Sequence, residues 1–188
     1  MVSTPQLGSR LSFDRKERIL ILYFAYGSNL HPSRLRARVS SAQPVTTGFI
    51  DGRSLRFHKK GRDGSSKCDM PPAQRPGARI YGALYSIEGC QKRRLDQVEG
   101  AGAGYAEVSL AVMTDDGPIE AFSYVAQSAF IQESLLPYHW YKRLVVEGAT
   151  FHRFPESYIA AITVVPSKQD PRPERAEENL RVLGNPSD

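Results

Sequence analysis

The pattern of apolar and polar positions predicts five or six strands with helices inserted among them. Strands are predicted around residues 18–24, in VTTGFI and RSLRFHK, over 78–87, and in YAEVSLAVMT and PIEAFSYVA. The Asp51-Gly52 dipeptide and the Asp115-Asp116-Gly117 run are signals for hairpin turns between neighbouring strands. Gly82, inside the strand over 78–87, indicates a bend or a close approach of another backbone.

Helical spacing is predicted in HPSRLRARVS, EGCQKRRLDQVEG, PYHWYKRLVVEGATF, PESYIAAITVV and, as a short helix, ERAEENLRVL. Pro32 suits the first turn of the first helix. Ser86 is a candidate cap for the second, which ends near Gly100 with Leu95 and Val98 toward the core. In the third helix, an inward face is expected from Tyr141, Leu144, Val145 and Gly148, at i, i+3, i+4 and i+7.

Strands and helices do not alternate regularly, which favours an α+β protein built as a small mixed β-barrel or curled sheet flanked by helices. We expect three parts: residues 1–18 as a flexible lead-in, 19–166 as one domain, and 167–188 as a charged, proline-containing tail. Residues 59–78 are rich in Gly, Pro and charge and are predicted to form a long loop, of the kind that is often functional.

The composition changes this picture little. No apolar run approaches the roughly 20 residues that span a bilayer, and residues 1–18 lack the apolar stretch of a secretory signal. The two cysteines are far apart, so a cytoplasmic, reduced setting is the default. They lie in no nucleophile motif, and the four histidines show no pairing with them that would indicate a hydrolase or a metal site.

The net charge of +5 is concentrated in RLRARVS, RFHKKGR and QKRR. A nucleic-acid-binding function is one interpretation. Solvated surface segments are the favoured one, because these runs lack interleaved aromatic residues for base stacking. A mildly basic surface would also attract an anionic small molecule.

The stretch YFAYGSNL begins as a strand and ends in residues that strands avoid. Gly27 permits backbone angles that other residues do not, and successive amides at such a turn can bind an anion or a polarised carbonyl oxygen. Ser28 and Asn29 add short polar groups. The alternative is an ordinary strand-to-helix turn, where Gly, Ser and Asn are common.

A second stretch, LDQVEGAGAGYAEV, places Glu99 at a helix C-terminus, before three glycines and a strand. The negative end of the helix dipole disfavours the charge of a carboxylate there, which makes it a better general base. Tyr105 stands just beyond, with a hydroxyl group that could orient a carboxylate or a ligand. The alternative is a solvated Glu99 followed by a glycine cap at Gly100.

Together, in this order, the two stretches resemble the γ-glutamylcyclotransferase superfamily, and PYHWYKRLVVEGATFHRFPESYI is similar to that family's late helix. The resemblance covers roughly residues 19–163. It implies a small mixed β-barrel and cyclisation of a γ-glutamyl amide to 5-oxoproline and a free amine. It also implies Glu99 as base and then acid, no metal or cofactor, a small-molecule substrate, and a monomer or homodimer. The substrate-binding residues that it implies are Tyr23, Phe24, Ala25, Tyr26, Gly27, Ser28, Asn29, Tyr105 and Tyr141.

Members of this family act on γ-glutamyl amino acids, γ-glutamyl-ε-lysine, glutathione or γ-glutamyl-protected antibiotic intermediates, and the sequence leaves these open. The basic loop over 59–78 is expected on the amine side of the substrate, and GAGAG is more flexible than usual. Two other hypotheses remain: a non-catalytic protein of the same fold that binds a small anion, and a nucleic-acid-associated protein.

Overall fold

The computed structural model describes residues 19–184, and its sheet closes into a five-stranded barrel with the order β1-β5-β2-β6-β7. The barrel strands are β1 (Leu20–Ala25), β2 (Gln43–Asp51), β5 (Arg79–Glu88), β6 (Tyr105–Thr114) and β7 (Gly117–Ala126), and a separate two-stranded sheet is formed by β3 (Arg56–Lys60) and β4 (Ser66–Asp69). This architecture confirms the predicted α+β class and mixed β-barrel.

The barrel closes where β1 meets β7. These two strands run parallel and pair at Tyr23 and Phe122, whereas the other barrel pairs are antiparallel. A side chain adds to the closure, because Ser123 Oγ donates a hydrogen bond to the carbonyl of Phe24 at 2.8 Å. Tyr23, Phe24 and Ala25 are all buried. Since neighbouring side chains point to opposite faces of a strand, both faces of this end of β1 are covered.

Within residues 19–184, five α-helices flank the barrel: α1 (Pro32–Arg38), α2 (Lys92–Glu99), α3 (His139–Phe151), α4 (Glu156–Thr163) and α5 (Pro173–Leu180). Pro32 occupies the first turn of α1, as predicted. The inward face predicted for α3 is also confirmed, since Tyr141, Leu144, Val145 and Gly148 are buried.

Several local predictions are wrong. The Asp51-Gly52 turn does not join a hairpin, because β2 pairs with β5 and β6 while β3 pairs with β4. The predicted loop over 59–78 therefore contains the end of β3 and all of β4. Ser86 lies within β5 and caps no helix. Val98 is 44% exposed, so only Leu95 of the expected α2 pair enters the core.

The segment after residue 166 packs on the barrel's helical flank. Trp140 Nε1 donates to Asp170 Oδ2 at 2.7 Å, and Arg175 Nε donates to the same carboxylate at 2.7 Å. The short helix predicted in ERAEENLRVL is present as α5, which contacts α3. The division of the chain at residue 166 stays a prediction, and the lead-in over 1–18 and residues 185–188 lie outside the described part.

Helices of the described range are all too short or too polar to cross a lipid bilayer.

Gly82 in β5 allows the close approach that the sequence predicted. A Cβ atom at this position would lie 2.3 Å from Phe24 Cζ and 2.6 Å from the carbonyl oxygen of Ala25. We expect Gly82→Ala to lower the free energy of unfolding by about 1–3 kcal/mol, because an extra carbon in a close-packed core forces its neighbours apart. Urea denaturation followed by tryptophan fluorescence measures this, and an unchanged midpoint and slope would contradict it.

Candidate active site

The loop after β1 is clamped at both ends. Tyr26 Oη donates to the carbonyl of Tyr124 in β7 at 2.6 Å. At the other end, the carbonyl of Leu30 accepts a hydrogen bond from Tyr85 Oη at 2.6 Å and one from His152 Nε2 at 2.8 Å. Hydrogen bonds to the backbone of β7, and from side chains of β5 and of the residue that follows α3, thus fix a short irregular segment that has no regular backbone pairing of its own.

The clamped loop presents unused backbone donors. Within residues 19–184, the amides of Gly27, Ser28 and Asn29 donate to no protein acceptor. All three residues line a small cavity of about 20 Å³. Since an unpaired amide away from bulk water is costly, this arrangement is suited to a bound carboxylate or oxyanion. The anion-binding role predicted for the YGSN stretch stays a prediction.

Glu99, the last residue of α2, lines the same small cavity. Gly100 adopts the left-handed conformation, with φ of +71°, and ends the helix as the sequence predicted. The side chain of Glu99 turns toward the loop, where its Oε1 accepts a hydrogen bond from Asn29 Nδ2 at 2.8 Å. The two stretches singled out in the sequence, 70 residues apart, thus meet in one site.

Arg38 of α1 completes a triangle with these two side chains. Its Nη1 lies 3.0 Å from Glu99 Oε1 and 2.7 Å from Asn29 Oδ1, and donates to both. Hydrogen bonds of this kind, in which a charged group takes part, hold the carboxylate of Glu99 in a fixed orientation. Within the described part of the chain, the hydrogen bonds to Glu99 end on Oε1, so Oε2 has no protein partner.

Two tyrosines support the floor of the site through the backbone of β4. The amide of Cys68 donates to Tyr141 Oη at 3.1 Å, and the carbonyl of Cys68 accepts from Tyr105 Oη at 2.5 Å. Burial raises the pKa of both hydroxyl groups well above the usual value for tyrosine. Tyr105 was expected to orient a carboxylate or ligand; its hydroxyl hydrogen bond goes to the β4 backbone and not to Glu99.

The small cavity adjoins a larger one of about 250 Å³. Glu99, Ser28, Tyr105 and Tyr141 line both cavities, whereas Tyr23, Tyr26, Gly27 and Asn29 line only the small one. Of the site residues predicted from the sequence, only Phe24 and Ala25 line neither cavity, because both are fully buried beneath the barrel wall. Seven of the nine predicted binding residues therefore meet around Glu99.

The sequence analysis assigned the basic runs to solvated surface and expected the basic loop over 59–78 on the amine side of the substrate, but it named no cationic side chain as a site residue. Five such side chains line the larger cavity. These are Arg34 and Arg38 of α1, Lys59 of β3, Lys67 of β4, and Arg62 in the turn between the two strands. The spacing of Arg34 and Arg38, one turn apart just after the YGSN loop, was an available signal. The position of the other three depends on the β3–β4 hairpin, which was not predicted.

Among residues 19–184, no group of three or more His, Cys, Asp or Glu side chains is arranged to hold a metal ion.

Known proteins resemble the chain in sequence and in fold. A profile of the AIG2-like family matches residues 79–162. The γ-glutamylcyclotransferases of Homo sapiens and Mus musculus are each 30% identical to the chain over 142 residues, covering 73% of it and 74% of their own length. A solved structure of a γ-glutamyl cyclotransferase superimposes with a TM-score of 0.77 at 23% identity, covering 89% of this chain and 100% of that one. The last likeness shows the shared fold.

The thiol of Cys68 at the floor of the small cavity is expected to be inert. It is 2% exposed, and burial raises its pKa to about 12. Below that pH the group stays protonated, whereas alkylating agents react with the thiolate. Iodoacetamide at pH 8, followed by peptide mass spectrometry, should modify the exposed Cys90 and leave Cys68 unmodified. The denatured protein, in which both react, is the control, and comparable rates for both in the folded protein would contradict this.

Proposed function

The chain belongs to the γ-glutamylcyclotransferase superfamily, and on this premise we propose that it converts a γ-glutamyl amide into 5-oxoproline and a free amine. The observation that carries this proposal is the meeting of Glu99 with the YGSN loop, at 2.8 Å between Glu99 Oε1 and Asn29 Nδ2. A carboxylate beside unused amide donors is the arrangement that an acyl transfer with internal attack requires.

In the proposed reaction, the α-amino nitrogen of the glutamyl group attacks its own γ-carbonyl carbon. A new C–N bond closes the five-membered ring, and the original γ C–N bond then breaks. Glu99 takes a proton from the α-ammonium group and later gives one to the departing amine nitrogen. We assign the proton to Oε2, because Oε1 already accepts hydrogen bonds from Asn29 and Arg38.

The amides of Gly27, Ser28 and Asn29 are the proposed donors to the substrate. They would hold the α-carboxylate of the glutamyl group and the oxyanion that forms at its γ-carbonyl. Donors of this kind act most strongly when they are fixed before the reaction, and losing one typically costs about 2.7–4 kcal/mol of transition-state stabilisation. The hydrogen bonds of Tyr26 and Leu30 to the barrel support this role, since they hold the loop in place.

The small cavity also serves to fold the substrate. Cyclisation needs the glutamyl group bent so that its nitrogen meets its own carbonyl carbon, and such positioning can contribute about 7–11 kcal/mol. Tyrosines at the wall leave little room for an extended chain: Tyr23, Tyr105 and Tyr141 are all buried there. Tyr105 and Tyr141 are proposed to shape the cavity through Cys68, and not to exchange protons.

A second candidate function is binding of a small anion without turnover. The excess of cations around the larger cavity favours it, and so does the ion pair between Arg38 and Glu99 at 3.0 Å, which stabilises the charged carboxylate. The same placement is less suited to nucleic acid, because these cations line a concave cavity and not an open face.

Replacing Glu99, the proposed base, distinguishes cyclotransferase activity from anion binding without turnover. Glu99→Gln keeps an oxygen to accept from Asn29 and Arg38 but cannot take up the proton. We expect release of 5-oxoproline, followed by mass spectrometry with a panel of γ-glutamyl dipeptides, to fall by about 10²–10⁴-fold. Circular dichroism and the thermal midpoint should remain unchanged.

The matched control is Glu120→Gln, which removes an exposed carboxylate on β7 outside both cavities. This variant should release 5-oxoproline at the rate of the unsubstituted protein. Retained turnover in Glu99→Gln would mean that another group is the base. Absence of product in the unsubstituted protein, together with saturable dipeptide binding by calorimetry, would support the anion-binding function.

A further inference from the structure

The larger cavity carries more positive charge than its own carboxylates neutralise. Five cationic side chains line it, against the carboxylates of Asp63 and Glu99. Lys67 Nζ pairs with Asp63 Oδ2 at 2.7 Å, and Arg38 pairs with Glu99. The three remaining cations, Arg34, Lys59 and Arg62, have no acidic partner within 4.0 Å in the part of the chain that the structure describes.

Arg34 is the most unusual of the three because it is buried. Its residue is 6% exposed, and its Nε has no hydrogen-bond partner among residues 19–184. Burial lowers the pKa of its guanidinium group, and the neighbouring Arg38 lowers it further. A buried charge without a counterion is costly, so this position is built for an anion that the protein itself does not supply.

Lys59 and Arg62 extend the positive wall from the β3–β4 hairpin. Lys59 is 7% exposed, and its Nζ lies 4.5 Å from the centre of the Tyr105 ring, a cation–π contact and not an ion pair. Burial lowers the pKa of Lys59. Arg62 lies in the turn after β3 and is solvent-exposed. The hairpin and α1 therefore contribute unmatched charge to the same cavity.

The position of Glu99 indicates which part of the substrate the larger cavity binds. In the proposed reaction the loop amides at the small cavity hold the α-carboxylate of the glutamyl group. Glu99 lines both cavities, and it must reach the departing amine to return a proton. The departing amine therefore occupies the larger cavity, beside the three unmatched cations.

We propose that the preferred substrates are γ-glutamyl conjugates of acidic amino acids, with Arg34 binding a carboxylate of the departing amine. This rests on the proposed cyclotransferase activity. A neutral amino acid would offer one carboxylate to three cations, whereas glutamate or aspartate offers two. In γ-glutamyl-ε-lysine the side-chain nitrogen is an uncharged amide, but the free α-ammonium group of the lysine would be repelled by these cations. Partly buried ion pairs give selectivity of this kind because the wrong partner leaves charges desolvated and unpaired.

The test compares γ-glutamylglutamate with γ-glutamylglutamine, which have nearly the same shape and differ by one charge. We expect kcat/KM for the glutamate conjugate to be higher by about tenfold or more. The difference should shrink as KCl is raised, because screening weakens partly exposed pairs. γ-Glutamyl-ε-lysine should be the poorest substrate.

Two variants test whether the cations of the larger cavity cause the preference for the glutamate conjugate. Arg34→Gln should reduce the ratio of the two kcat/KM values at least severalfold, mainly through KM for the glutamate conjugate. Arg62→Gln, at an exposed position that tolerates substitution, should reduce the same ratio to a smaller extent, which keeps the test informative if Arg34→Gln fails to fold. Arg94→Gln, on the exposed side of α2, is the matched control and should leave the ratio unchanged.

The outcomes distinguish the two proposals. Equal kcat/KM for both conjugates, or a preference for the neutral one, overturns the acidic-substrate inference and leaves the cyclotransferase activity intact. A preference that persists unchanged in both variants overturns the role of this cavity. Absence of 5-oxoproline from every conjugate overturns the proposed function, and the inference with it.

Discussion

The site depends on one side chain, Asn29, which joins the neighbouring elements β1 and α1 to the end of α2, 70 residues away in sequence. Its amide nitrogen donates to Glu99 at the end of α2 and to Tyr23 Oη in β1, at 2.8 and 3.2 Å. Its amide oxygen accepts from Arg38 of α1 at 2.7 Å. A residue with both donor and acceptor groups is needed here, because a carboxylate faces it on one side and a guanidinium group on the other. The loop backbone, the proposed base and its cationic partner are therefore fixed relative to one another.

The barrel provides the rigid frame on which this triangle is built. Closure between β1 and β7 places the start of the loop against Tyr124, while β4 lies beneath it with the peptide groups of Cys68 directed at two buried tyrosines. The loop also approaches β4 closely, since a Cβ atom at Gly27 would lie 3.1 Å from Cys68 Cβ. An irregular segment thus gains order from its neighbours, and its own amides stay available for a ligand.

Short-range sequence signals correctly predicted the features that depend only on residues close together in the chain. The helix that ends at Gly100, the inward face of α3 and the turn between β6 and β7 follow from glycine conformation and apolar spacing. The pairing of β3 with β4 did not, because strand partners are chosen by tertiary packing that short β-prone runs do not encode. That error carried into the site. Without the hairpin, Lys59, Arg62 and Lys67 were placed only within a basic loop expected on the amine side of the substrate, and none of them was predicted as a site residue.

The contacts of Glu99 engage only one of its two carboxylate oxygens within residues 19–184. Arg38 and Asn29 both donate to Oε1, so Oε2 is left to face the substrate in the proposed reaction. In the proposed substrate, the carboxylates of the departing amine would pair with the unmatched cations of the larger cavity. They would hold the departing nitrogen, which accepts the returning proton, beside Glu99. In this arrangement the charge that selects the substrate also positions the departing amine for proton transfer.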